Sequence, residues 1–104
     1  KYDIMSFRQD LPGFGEPQEG MWDGFQRINT ETKTGGIIAV FRHGAIQSKR
    51  IVTVNYLDSA KTYQLKSMDG KVIASLTGKE LKTSGFEVQL NDSYSGELFE
   101  VAGK

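Results

Sequence analysis

Apolar and polar residues alternate along this chain in short runs separated by turn-forming clusters. Thr62-Tyr63-Gln64-Leu65-Lys66 sets Tyr63 and Leu65 on the inward face of a strand and Gln64 and Lys66 on the outward one. Phe86, Val88 and Leu90 alternate with Glu87 and Gln89 in the same way, the mark of a half-buried strand. Ile37-Ile38-Ala39-Val40-Phe41-Arg42 is apolar on both faces, as a central strand is. Trp22 to Asn29, Lys49 to Leu57 and Tyr94 to Val101 complete the longer runs, the second placing Val52, Val54 and Tyr56 on one face. Asp69-Gly70 lies between two alternating segments and predicts a hairpin whose two central residues both take positive φ, with Val72, Ala74 and Leu76 returning along one face. Thr77 to Leu81 reads as an irregular link holding at most one helical turn. These elements, about seven or eight short strands and no sustained helical period, predict an all-β fold: a single antiparallel β-sandwich.

The N-terminal stretch differs. Arg8 to Pro17 contains both prolines and no sustained periodicity, so residues 1–20 are expected to form an extended arm or interdomain linker, with a short strand at Asp3 to Phe7. Residues 21–104 are expected to form the sandwich. Tyr2, Ile4, Met5, Phe7 and Phe14 give the arm apolar surface that a free tail does not need, so it should pack on this domain or a neighbour. The chain starts with Lys1, and we expect it to be a piece of a longer protein.

Composition narrows the chemistry. The 104 residues, 25% charged, carry 13 Lys and Arg against 13 Asp and Glu, so net charge offers no general attraction to nucleic acid or an anionic membrane, and neither is an expected partner. No run approaches the roughly 18 apolar residues of a membrane helix. With no cysteine and one histidine, His43, disulfides, thiolate sites and structural zinc are not expected, and neither is a cofactor. A cysteine-free chain leaves the compartment open, and suits a bacterial periplasmic or secreted protein.

No catalytic constellation stands out. There is no Gly-x-Ser-x-Gly turn to present a nucleophile to His43, which at a strand end reads as a surface residue. Asp10, Glu16, Glu19 and Asp23 cluster in sequence and are the candidates for a glycosidase pair, but three of them sit in the Pro/Gly-rich stretch, which would hold such a pair poorly. Asp69 and Asp92 belong to turns, where a carboxylate caps backbone amides. Gly13-Phe14-Gly15 lacks the third glycine and following lysine of a phosphate loop. The densest basic patch is Arg42, His43, Lys49 and Arg50, short enough to read as solvated surface. Carbohydrate contact is the most serious binding chemistry, because sugars stack their C–H faces on aromatic rings. Trp22, Phe25, Tyr56 and Tyr94 are candidates for it, although a lone tryptophan on a first strand is more often core.

The order of short motifs adds to this. Trp22-Asp23-Gly24-Phe25-Gln26 comes first, followed by Gly36 to Arg42 and the Tyr63 to Gly70 hairpin. Thr77-Gly78-Lys79-Glu80-Leu81, Gly85-Phe86-Glu87-Val88 and Ser95-Gly96-Glu97-Leu98 then follow. From Met21 to Val101 this resembles the C-terminal β-sandwich domain of glycoside hydrolase family 36 α-galactosidases and their relatives. The resemblance implies a non-catalytic accessory domain, its partner being a catalytic barrel elsewhere in the parent chain, with no catalytic residue of its own. Trp22, Phe25 and Phe14 are then the residues expected to meet a sugar or the neighbouring domain. An independent carbohydrate-binding module and an immunoglobulin-like interaction domain are the alternative readings.

Overall fold

The structure, a computed structural model, describes residues 8–11, 20–29 and 31–103. The described chain runs β1 (Arg8–Asp10), β2 (Met21–Ile28), β3 (Gly35–His43), β4 (Lys49–Val52), β5 (Thr62–Ser67), β6 (Val72–Thr77), α1 (Gly78–Thr83), β7 (Phe86–Gln89) and β8 (Tyr94–Gly103). A six-stranded antiparallel sheet has the order β1-β2-β3-β8-β5-β6, and β4 pairs with β7 in a second sheet. The fold is all-β.

Period-2 patterning sets which face each strand buries. On β2, Trp22, Gly24, Gln26 and Ile28 are buried while Asp23, Phe25 and Arg27 lie on the opposite face. Ile38 and Val40 of β3, Phe99 and Val101 of β8, and Tyr63 and Leu65 of β5 join the same inner face. Against it pack Val52, Phe86 and Val88 of the small sheet and Leu81 of α1, in one core cluster. The Phe86 and Phe99 rings meet edge-to-face across the two layers, centroids 5.3 Å apart. Burial of these side chains is the main stabilising term, at about 1.5–3 kcal/mol for each large one.

The helix has a local cause. Thr77 Oγ1 accepts from the Glu80 amide at 3.1 Å, and the Glu80 carboxylate accepts from the Thr77 amide at 2.9 Å. That reciprocal capping box starts a six-residue helix where the sequence pattern predicts at most one turn, and it points Leu81 into the core.

Two other expectations change. Arg8 to Asp10, read as part of a loop-like arm, form an edge strand in register with Phe25 to Arg27, and Leu11 is buried in the core. The proposed strand at Asp3 to Phe7 lies outside the described residues. The run Lys49 to Leu57 is a strand only as far as Val52. Val52 and Val54 are buried as expected, but Tyr56 adopts φ of 71° and is 52% exposed. The backbone of Asn55 explains the break, because its N–H and C=O pair with the Gln26 side chain instead of a strand.

The β5–β6 hairpin also differs from the expected two-residue turn. Gly70 alone in that loop has positive φ, 92°. Its amide donates to the Ser67 carbonyl, and the Ser67 amide donates to the Lys71 carbonyl. The loop therefore has three residues, Met68, Asp69 and Gly70, with the glycine in the left-handed position of a bulge. Asp69 fixes it by accepting from the Ser67 hydroxyl and the Lys71 amide, and these bonds hold its carboxyl below the usual range.

Tyr63 couples the core to pH. Its hydroxyl donates to the Lys33 carbonyl at 2.6 Å and accepts from the Asp58 amide at 3.0 Å. Burial pushes its pKa above the ordinary 10.0, the Asp58 amide opposing this and the Asp58 charge adding to it. An acid raised in the folded state contributes stability that is complete below its unfolded pKa and is lost as pH rises through the folded value. The urea midpoint should therefore hold to about pH 10 and fall above it. Tyr63→Phe should flatten that descent while losing about 1 kcal/mol at neutral pH. An unchanged alkaline slope in the variant would assign the descent to other groups.

Candidate functional site

The outer face of the large sheet gathers the exposed chemistry. Antiparallel register places Asp23 opposite Phe41, Phe25 opposite Ala39, His43 opposite Tyr94, and Phe41 opposite Gly96. The Phe41 ring has Phe25 on one side, 6.4 Å between centroids, and His43 on the other, 6.3 Å. Interplanar angles of 37° and 33° make these rings neighbours in a shallow row rather than a stack. The Arg27 guanidinium lies 5.2 Å from the centre of the Phe25 ring. At the other end His43 Nε2 lies 3.6 Å from Asp23 Oδ2, with Asp23 mostly covered.

Gly96 makes room for this row. A Cβ there would sit 2.4 Å from Phe41 Cδ1, so any larger residue would lift the ring off β8. Beside it lies an open groove of about 640 Å³, with Phe41, Gly96 and Leu98 on one side and Met68 and Asp69 of the hairpin on the other. A smaller hollow of about 280 Å³ continues past Phe41 to His43 and Tyr94.

The structure separates the predicted contact residues. Trp22 is 3% exposed, on the inner face, and its indole N–H donates to the Gln47 carbonyl at 3.0 Å. Phe25, three residues on, lies on the outer face within the ring row. Phe14 lies outside the described residues. Tyr94, 65% exposed, borders the smaller hollow, whereas Tyr56 lines neither hollow. The sequence does not single out Phe41, because its strand is apolar on both faces. Only the register with Phe25 and Gly96 reveals that its ring faces outward.

The basic patch is corrected. Arg42 is 7% exposed, and its guanidinium donates to the carbonyls of Ala45, Leu90, Asn91 and Ile46 at 2.7–3.3 Å. Alternation places it on the core side of β3, opposite in facing to His43, so no continuous cationic surface forms from Arg42, His43, Lys49 and Arg50. Of the carboxylates weighed for catalysis, Asp23 faces His43, and Glu16 and Glu19 lie outside the described residues. Among the described residues no three His, Cys, Asp or Glu side chains come together as a metal site, and no helix is long and apolar enough to cross a membrane.

No protein-family model and no curated protein matches the chain. Solved structures do. The galactosidase domain of the α-galactosidase-sucrose kinase AgaSK superposes with a TM-score of 0.72 at 16% identity, over 93% of this chain and 13% of that one. The α-galactosidase from Lactobacillus brevis superposes with a TM-score of 0.62 at 17% identity, over 80% of this chain and 12% of its own. The chain thus spans about an eighth of the length of each of these structures, and shares with that part of them its fold.

Proposed function

We propose that this chain is a non-catalytic accessory domain of an α-galactosidase-like glycoside hydrolase, the C-terminal sandwich of a family 36 type of enzyme. On this reading residues 21–104 form the body of the sandwich, with Arg8–Asp10 and Leu11 added to its large sheet and core, and the domain packs beside a catalytic barrel and stabilises it. One observation carries the proposal. A fold that matches 93% and 80% of this chain accounts for only 13% and 12% of two α-galactosidase structures. The order of motifs from Trp22 to Leu98 supports the same reading, and so does the use of the most conspicuous polar side chains, Gln26 and Arg42, in holding loops rather than in open clefts.

The test compares the full polypeptide that carries this domain with the 104-residue chain alone, using an aryl α-galactoside. The full polypeptide should turn it over, and the isolated chain should give no rate above buffer. Turnover by the isolated chain would overturn the non-catalytic assignment. A full polypeptide without a barrel-like region of about 250 residues, or without glycosidase activity, would overturn the accessory role.

A further inference from the structure

The large sheet contains a notch. β8 pairs with β3 from Tyr94 to Ala102, but with β5 only from Phe99 to Gly103, because the chain turns away at Ser67 into the hairpin. Ser95 to Leu98 therefore has β3 along one edge and, among the described residues, no strand along the other. The exposure pattern agrees on each face: Phe99 and Val101 are buried where Glu97 is exposed, and Glu100 and Ala102 are half-buried where Gly96 and Leu98 are exposed. The groove of about 640 Å³ occupies this notch.

A strand edge displays backbone donors and acceptors in a row, so the group that satisfies it is another strand. Four residues at about 3.3 Å each give room for some 13 Å of extended chain. The groove is acidic at both margins, with Glu97 on β8 and Asp69, whose carboxyl is fixed and ionised, on the hairpin. A second copy paired two-fold through the same edge would bring these carboxylates together with their own counterparts, which is unfavourable. A cationic segment would be drawn in.

We propose that the Ser95–Leu98 edge accepts one extended segment from the catalytic part of the parent chain, with a lysine or arginine opposite Glu97 and an apolar side chain over Phe41. This rests on the accessory-domain reading, and names the surface and the mode by which the domain docks.

Amide hydrogen exchange tests it in the full polypeptide and in the 104-residue chain. Those amides of Ser95 to Leu98 that face away from β3 should exchange at least about ten-fold more slowly in the full polypeptide. Glu97→Lys and Leu98→Lys, both at exposed positions, should each abolish that difference. Equal exchange in the two forms would overturn the proposal, as would slowing that survives both substitutions. So would slowing that appears in the isolated chain as its concentration rises, which would make a second copy the occupant. Hydrolysis of the aryl α-galactoside is read separately. Equal exchange in an active full polypeptide removes the docking strand and leaves the accessory role standing.

Discussion

Replacing Arg42 with methionine should lower the stability of the domain by about 3–5 kcal/mol, a fall in Tm of roughly 15–30 °C for a chain of this size. Methionine keeps the length and apolar character of the stem, so the loss isolates the guanidinium. That group carries five N–H donors in a rigid plane. Here Nε reaches the Ala45 carbonyl, Nη1 the Leu90 and Asn91 carbonyls, and Nη2 the Ile46 carbonyl. Without them these acceptors, in and beside the core, lose their partners, and each one left dry costs about 1–3 kcal/mol. The same side chain ties the end of β3 to both the β3–β4 loop and the turn that leads into β8. Arg42→Lys should recover only part of the loss, because one ammonium has three donors and no planar fork. Urea denaturation followed by circular dichroism measures both variants. A loss below about 1 kcal/mol for the methionine variant would mean that water replaces the guanidinium without difficulty.

Gln26→Leu carries the second large effect, about 2–4 kcal/mol. Gln26 is fully buried, and its side-chain amide behaves as a peptide group. Its Nε2 donates to the Asn55 carbonyl at 3.0 Å, and its Oε1 accepts from the Asn55 amide at 3.1 Å. The same nitrogen reaches Gln9 Oε1 at 3.2 Å, and Gln9 in turn bonds both the amide and the carbonyl of Ile28. Leucine fills the volume but leaves the Asn55 backbone unpaired. Gln26→Glu gives a sharper reading. A buried carboxylate facing the Asn55 carbonyl should hold its proton, so its folded pKa rises. This variant should approach wild-type stability below about pH 4 and lose stability as pH rises toward neutrality. A pH-independent deficit would show that the site admits water.

The same two residues mark what could be read along the chain. Alternation correctly puts Val52, Val54, Tyr63, Leu65, Phe86, Val88 and Leu90 inside, because a half-buried strand repeats every two residues whatever its neighbours are. Where a side chain replaces a backbone partner, alternation fails. Nothing local to Lys49–Leu57 shows that Gln26, far back in the sequence, takes the backbone of Asn55 and turns Tyr56 outward. Nor does Arg42 look internal in sequence, since a cation beside His43, Lys49 and Arg50 reads as surface until the carbonyls around it are known. Arg8 to Asp10 have no strand signature, and pairing with β2 alone makes them one. The candidate surface is legible in part: Phe25 stands out in the sequence for its ring, but Phe41 becomes its neighbour only through register.

The sequence by itself determined the all-β class, the inward residues of most strands and the hairpin at Asp69-Gly70. These depend on short-range sterics and on the two-residue period, which act within a few positions of the chain. Tertiary structure decided the strand order, the burial of Arg42, the outward turn of Tyr56 and the notch along Ser95 to Leu98. Each of these depends on hydrogen bonds or strand lengths matched between distant segments. The notch exists because a ten-residue β8 lies beside a six-residue β5, a mismatch that has meaning only once the two strands are paired.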